Sequence, residues 1–324
     1  MKKVKRKNED LTALLQANNG LVDHSILKKL NKKLNEVDND IDKLYLKFPI
    51  RKKSGGVRMI SAPCDELKEA QKQILTRGLY MKKAHRCATG FIPKQSLLVN
   101  PRKHLKSKAL LNIDLKNFFD TVPTSLILQQ IKYITEDSIK AGLLTDKSSP
   151  NSISDCIFVI CTNSYDRLPQ GSPTSPHLAN LSCYTLDIML QKLAVEEGYK
   201  YTRYADDISF STKDASKDLA VILPKIINII NGRGLIVNYK KIRFYRAHKR
   251  MEVTGVVVNQ KLGIPKYKRR NFRAEVHNLV KSNKAITEHY KLQLQGYAKW
   301  ISQLNYIQGK NLLSKISQIP SYPE

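Results

Sequence analysis

Two adjacent carboxylates, Asp206 and Asp207, sit within Tyr201-Thr-Arg-Tyr-Ala-Asp-Asp-Ile-Ser-Phe-Ser211. Aromatic and β-branched residues on both sides predict a tight β-hairpin with acid at its tip. Neighbouring like charges repel, so two of them between half-buried strands call for a compensating cation, of which a divalent metal is the simplest. A plain polar turn would also accept an Asp-Asp pair. A third acid, Asp114, ends the run Leu110-Leu-Asn-Ile-Asp114, which reads as a buried strand. Such an acid can cap the helix that follows, or it can join the pair at 206 and 207. Complementary charge comes from Arg51, Lys52, Lys53 and Arg58, arranged around Gly55-Gly56, a turn pair suited to a hairpin. A compact basic finger of this kind could clamp a triphosphate, or present a solvated face.

These groups need elements to hold them. Leu27, Leu30 and Leu34 recur at helical spacing, with lysines at 28, 29, 32 and 33 beside them, so this helix faces either phosphate or water. Helical patterns also cover residues 65–83, 125–145, 152–163 and 216–231. Leu178 to Ala194 reads as one apolar core helix. Leu168-Pro-Gln-Gly-Ser-Pro-Thr-Ser-Pro176 holds three prolines and a glycine, which predicts a rigid loop. Met251 to Val258 reads as one strand, and residues from Lys266 onward as mostly helix. A chain of 324 residues suggests two or three subdomains sharing interfaces.

Charge narrows the partner. Lys and Arg number 56 against 28 Asp and Glu, a net charge of +28, and so large an excess repels itself unless a polyanion is bound; nucleic acid is the usual one. Residues 232–251 hold seven Lys or Arg and no acid, with Tyr239, Phe244 and Tyr245 interleaved, a pattern that suits stacking beside phosphates. Between residues 259 and 324 basic residues outnumber acids 12 to 3. No run of 18 apolar residues, signal-peptide core or lipidation motif is present, so no membrane association and a cytoplasmic location are expected. The five cysteines lack any Cys-x-x-Cys pair, which argues for free thiols in a reduced compartment.

Taken in order, Asp114 with Phe119 five residues on, Leu168-Pro-Gln-Gly171, Tyr204-Ala-Asp-Asp207 and Gly234 through Lys241 resemble the ordered motifs of reverse transcriptases. Within that superfamily the chain resembles the bacterial retron enzymes, through Val253-Thr-Gly255 and through Asn100-Pro-Arg-Lys-His104, where Pro101 replaces their alanine. The resemblance implies an α+β right-hand polymerase: an N-terminal extension and fingers over 1–105, a palm with a small antiparallel sheet over 106–258, finger helices inserted around 125–165, and a short basic helical thumb over 259–324. It implies Asp114, Asp206 and Asp207 as ligands of two Mg²⁺ ions, with Lys241 or Lys240 near the leaving pyrophosphate. Arg58 and Lys53 would hold the deoxynucleoside triphosphate, Phe119 would exclude a 2′-hydroxyl, and Gln170 with Gly171 would touch the nascent pair. Asn100, His104, Val253, Thr254, Gly255, Lys266, Arg269 and Arg270 would bind RNA. The implied partners are a cognate structured non-coding RNA, copied from a guanosine 2′-hydroxyl into branched RNA-DNA (msDNA), and a separate effector protein in antiphage defence. Two other readings remain: a reverse transcriptase of another lineage, such as a group II intron enzyme, and a catalytically idle RNA binder. Three clustered carboxylates argue against the second, since a mere polyanion binder gains nothing from them.

Overall fold

The computed structural model describes residues 11–17, 20–52, 55–145 and 149–323. The chain divides into two compact units.

The first unit comprises residues 1–95, 112–210 and 220–243. It opens with α1 (Thr12–Gln16) and α2 (His24–Glu36), which buries Leu27, Leu30 and Leu34 on one face. Of the lysines beside that face, Lys33 is drawn into an ion pair with Glu66, 2.5 Å away. Next, β1 (Tyr45–Arg51) pairs antiparallel with β2 (Val57–Pro63), from Tyr45 opposite Pro63 to Arg51 opposite Val57. Gly55 and Gly56 take φ of 84° and 79° at the turn, a region open to glycine at little cost. The paired arms run longer than the alternation around the glycines suggests.

A helical layer supports this hairpin. α3 (Asp65–Gln73) continues through a π turn, Ile74–Gly78, and a short 3-10 turn, Leu79–Met81. α6 (Thr124–Lys140) buries Ile127, Ile131 and Ile134, and α7 (Pro150–Cys161), packed against it, buries Ile153, Ile157 and Ile160. Between the α3 segment and α6 in sequence lie α4 (Val99–Lys103), which belongs to the second unit, and the single turn α5 (Phe118–Thr121). The expected helix from Leu178 to Ala194 is in fact two, α8 (Ser175–Ser182) and α9 (Tyr184–Glu196), separated at Cys183, whose ψ of 5° leaves the helical range.

Strands β3 (Ala109–Asp114), β4 (Lys200–Tyr204), β5 (Asp207–Thr212) and β6 (Arg243–Arg246) form one sheet in the order β4-β5-β3-β6. Its small size and the helices around it bear out the α+β class. α10 (Leu219–Gly232) follows β5 in sequence.

The second unit comprises residues 96–111, 211–219 and 244–324. The expected single strand at Met251–Val258 is a two-stranded hairpin, β7 (Glu252–Val253) against β8 (Val256–Val257). Thr254 at φ 47° and Gly255 at φ 80° reverse the chain between them, so the valines of both arms can turn inward. Met251, Val253 and Val258 pack with Leu110 in a small core. A second core lies among α11 (Lys266–Ser282), α12 (Glu288–Leu304) and α13 (Tyr306–Ser317), around Phe272, Val276, Leu294, Ala298, Leu312 and Ile316. β9 (Ile286–Thr287) and β10 (Ser321–Tyr322) pair in parallel beside it. No described helix is long and apolar enough to cross a membrane.

Candidate active site

β3 delivers Asp114 at its end, and the two-residue connection Ala205-Asp206 joins β4 to β5. The Leu115 N–H donates to Asp206 O at 3.0 Å, so backbone pairing sets the first acid beside the second. The loop from Gly234 to Asn238 runs alongside, with Lys116 N–H donating to Ile236 O at 2.7 Å and Asn238 N–H to Asp114 O at 2.8 Å. That loop and the 3-10 turn after it, Tyr239–Lys241, carry two side chains onto Asp114. Asn238 Nδ2 donates to Oδ1 at 3.0 Å, and Lys241 Nζ donates to Oδ2 at 2.8 Å.

These groups open into a cleft of about 890 Å³. Asp114, Asp206 and Lys241 line it, and the β1–β2 hairpin adds Arg51, Lys52 and Arg58. Phe119 lies within it, with the rings of Phe118 and Phe91 5.5 and 6.3 Å away. Gln170 lines it as well, and its carbonyl accepts from Ser61 N–H at 2.7 Å. Gly171, outside the lining, has φ 128°, and a Cβ there would stand 2.6 Å from Ser61 O. Only glycine lets the loop approach β2 this closely. Lys53 lies outside the described residues. Of the two lysines left open, Lys241 lines the cleft and Lys240 does not.

The acids are electrostatically unsettled. Burial, reinforced by repulsion from Asp114, raises the Asp206 carboxyl above the usual range, against the opposing pull of Lys241 and Arg58. Burial and the charges of Asp206 and Asp114 push Asp207 up to about 6. Asp207 does not line the cleft, and among the described residues no three His, Cys, Asp or Glu side chains are drawn together as a ready metal cage. The side chains of Lys241 and Asn238 are the partners of Asp114. The donor set fits a divalent ion: hard carboxylate oxygens on adjacent strand ends.

Several residues expected at an RNA surface are interior. Asn100 and Val253 are buried, and His104 is buried with Nδ1 2.7 Å from Ser211 Oγ. Asn100 lies in α4 and His104 caps its C-terminal end, and α4 packs against β7; these three side chains support the second unit, and Thr254 and Gly255 form the turn beyond them. Lys266 and Arg270 are exposed, and Arg269 and Arg270 line a basic cleft with Arg273, His277 and Lys315.

Three contributors escaped the sequence reading. Asn238, a carboxamide after an apolar run, gave no signal beyond its place before the lysines. Gly90 approaches the acidic turn, where a Cβ would be 3.0 Å from Ala205 N. Asp187 pairs with Arg203 by Nη2···Oδ2 at 2.6 Å, both side chains fully buried. Its one visible signal is an acid on the buried face of a helix that also buries Leu186 and Leu190.

Residues 50–258, which hold the cleft, match the family of reverse transcriptases (RNA-dependent DNA polymerases). The chain belongs to this family. The Ec86 retron reverse transcriptase of Escherichia coli is 30% identical to it over 278 residues, covering 85% of this chain and 81% of that protein. The Mx162 and Mx65 retron reverse transcriptases of Myxococcus xanthus are 30% and 29% identical, covering 86% and 95% of this chain. This reverse transcriptase spans 61% of the length of the Mx162 protein and 70% of the Mx65 protein. Among relatives it groups with the retron type. Apo telomerase from Candida tropicalis is similar at a TM-score of 0.46 and 14% identity, covering 92% of this chain and 65% of that one, a likeness that carries no argument.

Proposed function

We propose that this reverse transcriptase is a retron-type RNA-directed DNA polymerase that copies a cognate structured RNA from an internal guanosine 2′-hydroxyl. The observation that carries the reading is the cleft itself, in which Asp114 and Asp206 face the cations of the β1–β2 hairpin. Nucleotide addition joins a hydroxyl to an α-phosphate and releases pyrophosphate, so it needs a negative locus for divalent metal beside a positive one for the triphosphate.

Asp114, Asp206 and Asp207 would hold a pair of Mg²⁺ ions, which when bound stabilise charge on the attacking and leaving oxygens. Arg58, with Lys53 and Lys52, orients the triphosphate. Lys241 leaves Asp114 for the leaving group. Phe119 packs under the sugar, and Gln170 fixes the base-pair plane through a loop tethered to β2. In this reading residues 1–105 carry the fingers, 106–258 the palm and 259–324 the thumb, whose Lys266, Arg269 and Arg270 hold RNA beside the Thr254-Gly255 turn. A separate effector, a role in antiphage defence and a cytoplasmic setting complete the proposal.

Extension of an RNA-templated substrate with deoxynucleotides tests it. Asp206→Asn should abolish synthesis while RNA binding persists, because it removes a ligand charge and no phosphate contact. Extension near the wild-type rate would refute the assignment.

A further inference from the structure

Beneath the acidic turn lies an ion pair with no counterpart elsewhere among the described buried side chains. Arg203 and Asp187 are both fully buried. Arg203 Nε donates to Asp187 Oδ1 at 2.8 Å and Nη2 to Oδ2 at 2.6 Å. The Tyr201 hydroxyl donates to the same Oδ1 at 2.6 Å. A buried pair of this kind is weak evidence for stability, since well-packed apolar residues often hold a fold as well. What distinguishes this one is where its remaining donor points.

Arg203 Nη1 donates to Ala205 O at 3.2 Å and to Asn180 Oδ1 at 3.0 Å. Ala205 O belongs to the peptide that leads into Asp206, and Ala205 holds φ 54°, a conformation unfavourable to a residue with a Cβ. The next carbonyl, Asp206 O, accepts from Leu115 N–H at 3.0 Å. Both carbonyls flanking the Asp206 side chain are therefore fixed, one by Arg203 and one by the strand that carries Asp114. Asn180 extends the hold: its Nδ2 donates to Gly90 O at 2.8 Å, and Gly90 lies against Ala205 N and the Tyr204 ring. The Arg203 backbone adds two more ties, to Cys87 O at 2.9 Å and from Thr89 N–H at 2.7 Å.

We propose that Arg203 is a positioning residue for this polymerase site: held in one orientation by Asp187, its guanidinium locks the Ala205–Asp206 peptide and so sets the direction of the Asp206 carboxylate. The inference rests on the proposed function. Its energetic logic is preorganisation, since displacing a reacting or ligating group by about 1 Å can cost on the order of 10²-fold in rate.

The test separates holding the turn from holding the fold. In the triple variant Arg203→Met, Asp187→Leu, Tyr201→Phe, every member of the buried charge cluster becomes apolar together. Thermal melting, RNA binding, single-nucleotide kcat and KM, and Mn²⁺ affinity by electron paramagnetic resonance are read on the same preparation. The expected result is a folded, RNA-binding protein whose kcat falls by at least about 10-fold and whose Mn²⁺ affinity falls with it, while KM for the deoxynucleotide is little changed. Wild-type kcat and Mn²⁺ affinity in a folded triple variant would overturn the proposal. Should the triple variant fail to fold, Arg203→Lys keeps the charge and loses the fork. The proposal then predicts lowered kcat at unchanged melting temperature, and unchanged kcat overturns it. If the wild-type chain adds no nucleotide, the proposed function fails, and the Mn²⁺ comparison still decides whether Arg203 sets the turn.

Discussion

Lys241 Nζ stands 2.8 Å from Asp114 Oδ2, with the lysine side chain half exposed and the carboxylate largely enclosed. The pair makes Lys241 a counter-ion for Asp114, and in the proposed function its exposed ammonium would meet the departing pyrophosphate. Removing one electrostatic partner of a developing charge costs about 10²-fold in rate. Lys241→Met should therefore lower kcat by about that factor, while Lys240→Met stays near wild type. Pre-steady-state single-nucleotide addition measures both, and equal effects would shift the role away from Lys241.

Phe119 lies in the cleft between the rings of Phe91 and Phe118. If it excludes the 2′-hydroxyl by contact, Phe119→Val removes a steric barrier and no attraction. The ratio of deoxy to ribo kcat/KM should fall by about 10-fold or more. An unchanged ratio in an active variant would place the gate on another side chain.

Much of this was legible beforehand, and the reasons are local. The Asp-Asp hairpin and the Gly55-Gly56 finger show themselves because alternation and turn residues are short-range signals. The interior of the second unit does not. Val253-Thr-Gly255 reads as strand from its valines, yet the positive φ at Thr254 and Gly255 folds the segment back on itself. Asn100 and His104 look like surface polar residues because their burial depends on contacts distant in sequence; His104 meets Ser211, 107 positions away. Asp187 disappears into an apolar helix for the same reason, since only the fold brings Arg203 to it.

Arg269 and Arg270 share a basic cleft with Arg273, His277 and Lys315, so RNA affinity should fall steeply with salt. Neutralising Lys266, Arg269 and Arg270 together should reduce the slope of log K against log[salt] by about 2. Filter binding across a salt series reads it, and a slope equal to wild type would place these residues away from RNA.

His177 links the C-terminal end of the α3 segment to α8. Its Nε2 donates to Leu79 O at 3.1 Å and Lys82 O at 3.0 Å, while Nδ1 is buried without a partner. Burial holds its pKa below the ordinary histidine value of 6.5, against the backbone bonds that oppose the shift. The unfolded chain then binds a proton that the native imidazole resists, so stability falls as pH drops below about 6.5. Denaturant melts between pH 7 and pH 5 should show that loss, and His177→Gln should flatten it. An identical pH dependence in the variant would mean that other groups carry the acid sensitivity.

The most direct measurement is the junction in the nucleic acid this protein makes. Holding an RNA 2′-hydroxyl within about 3 to 3.5 Å of an α-phosphate makes attack effectively unimolecular, so a cognate RNA folded into the cleft can serve as template and primer at once. Protein expressed with the non-coding region beside its gene should carry DNA joined to RNA through a 2′,5′ bond, leaving a short RNA stub after ribonuclease that only a debranching enzyme releases, and none of it should form with Asp206→Asn. DNA with a free 5′ end or a 3′,5′ junction would contradict the retron assignment, and branched DNA from Asp206→Asn would contradict the active site.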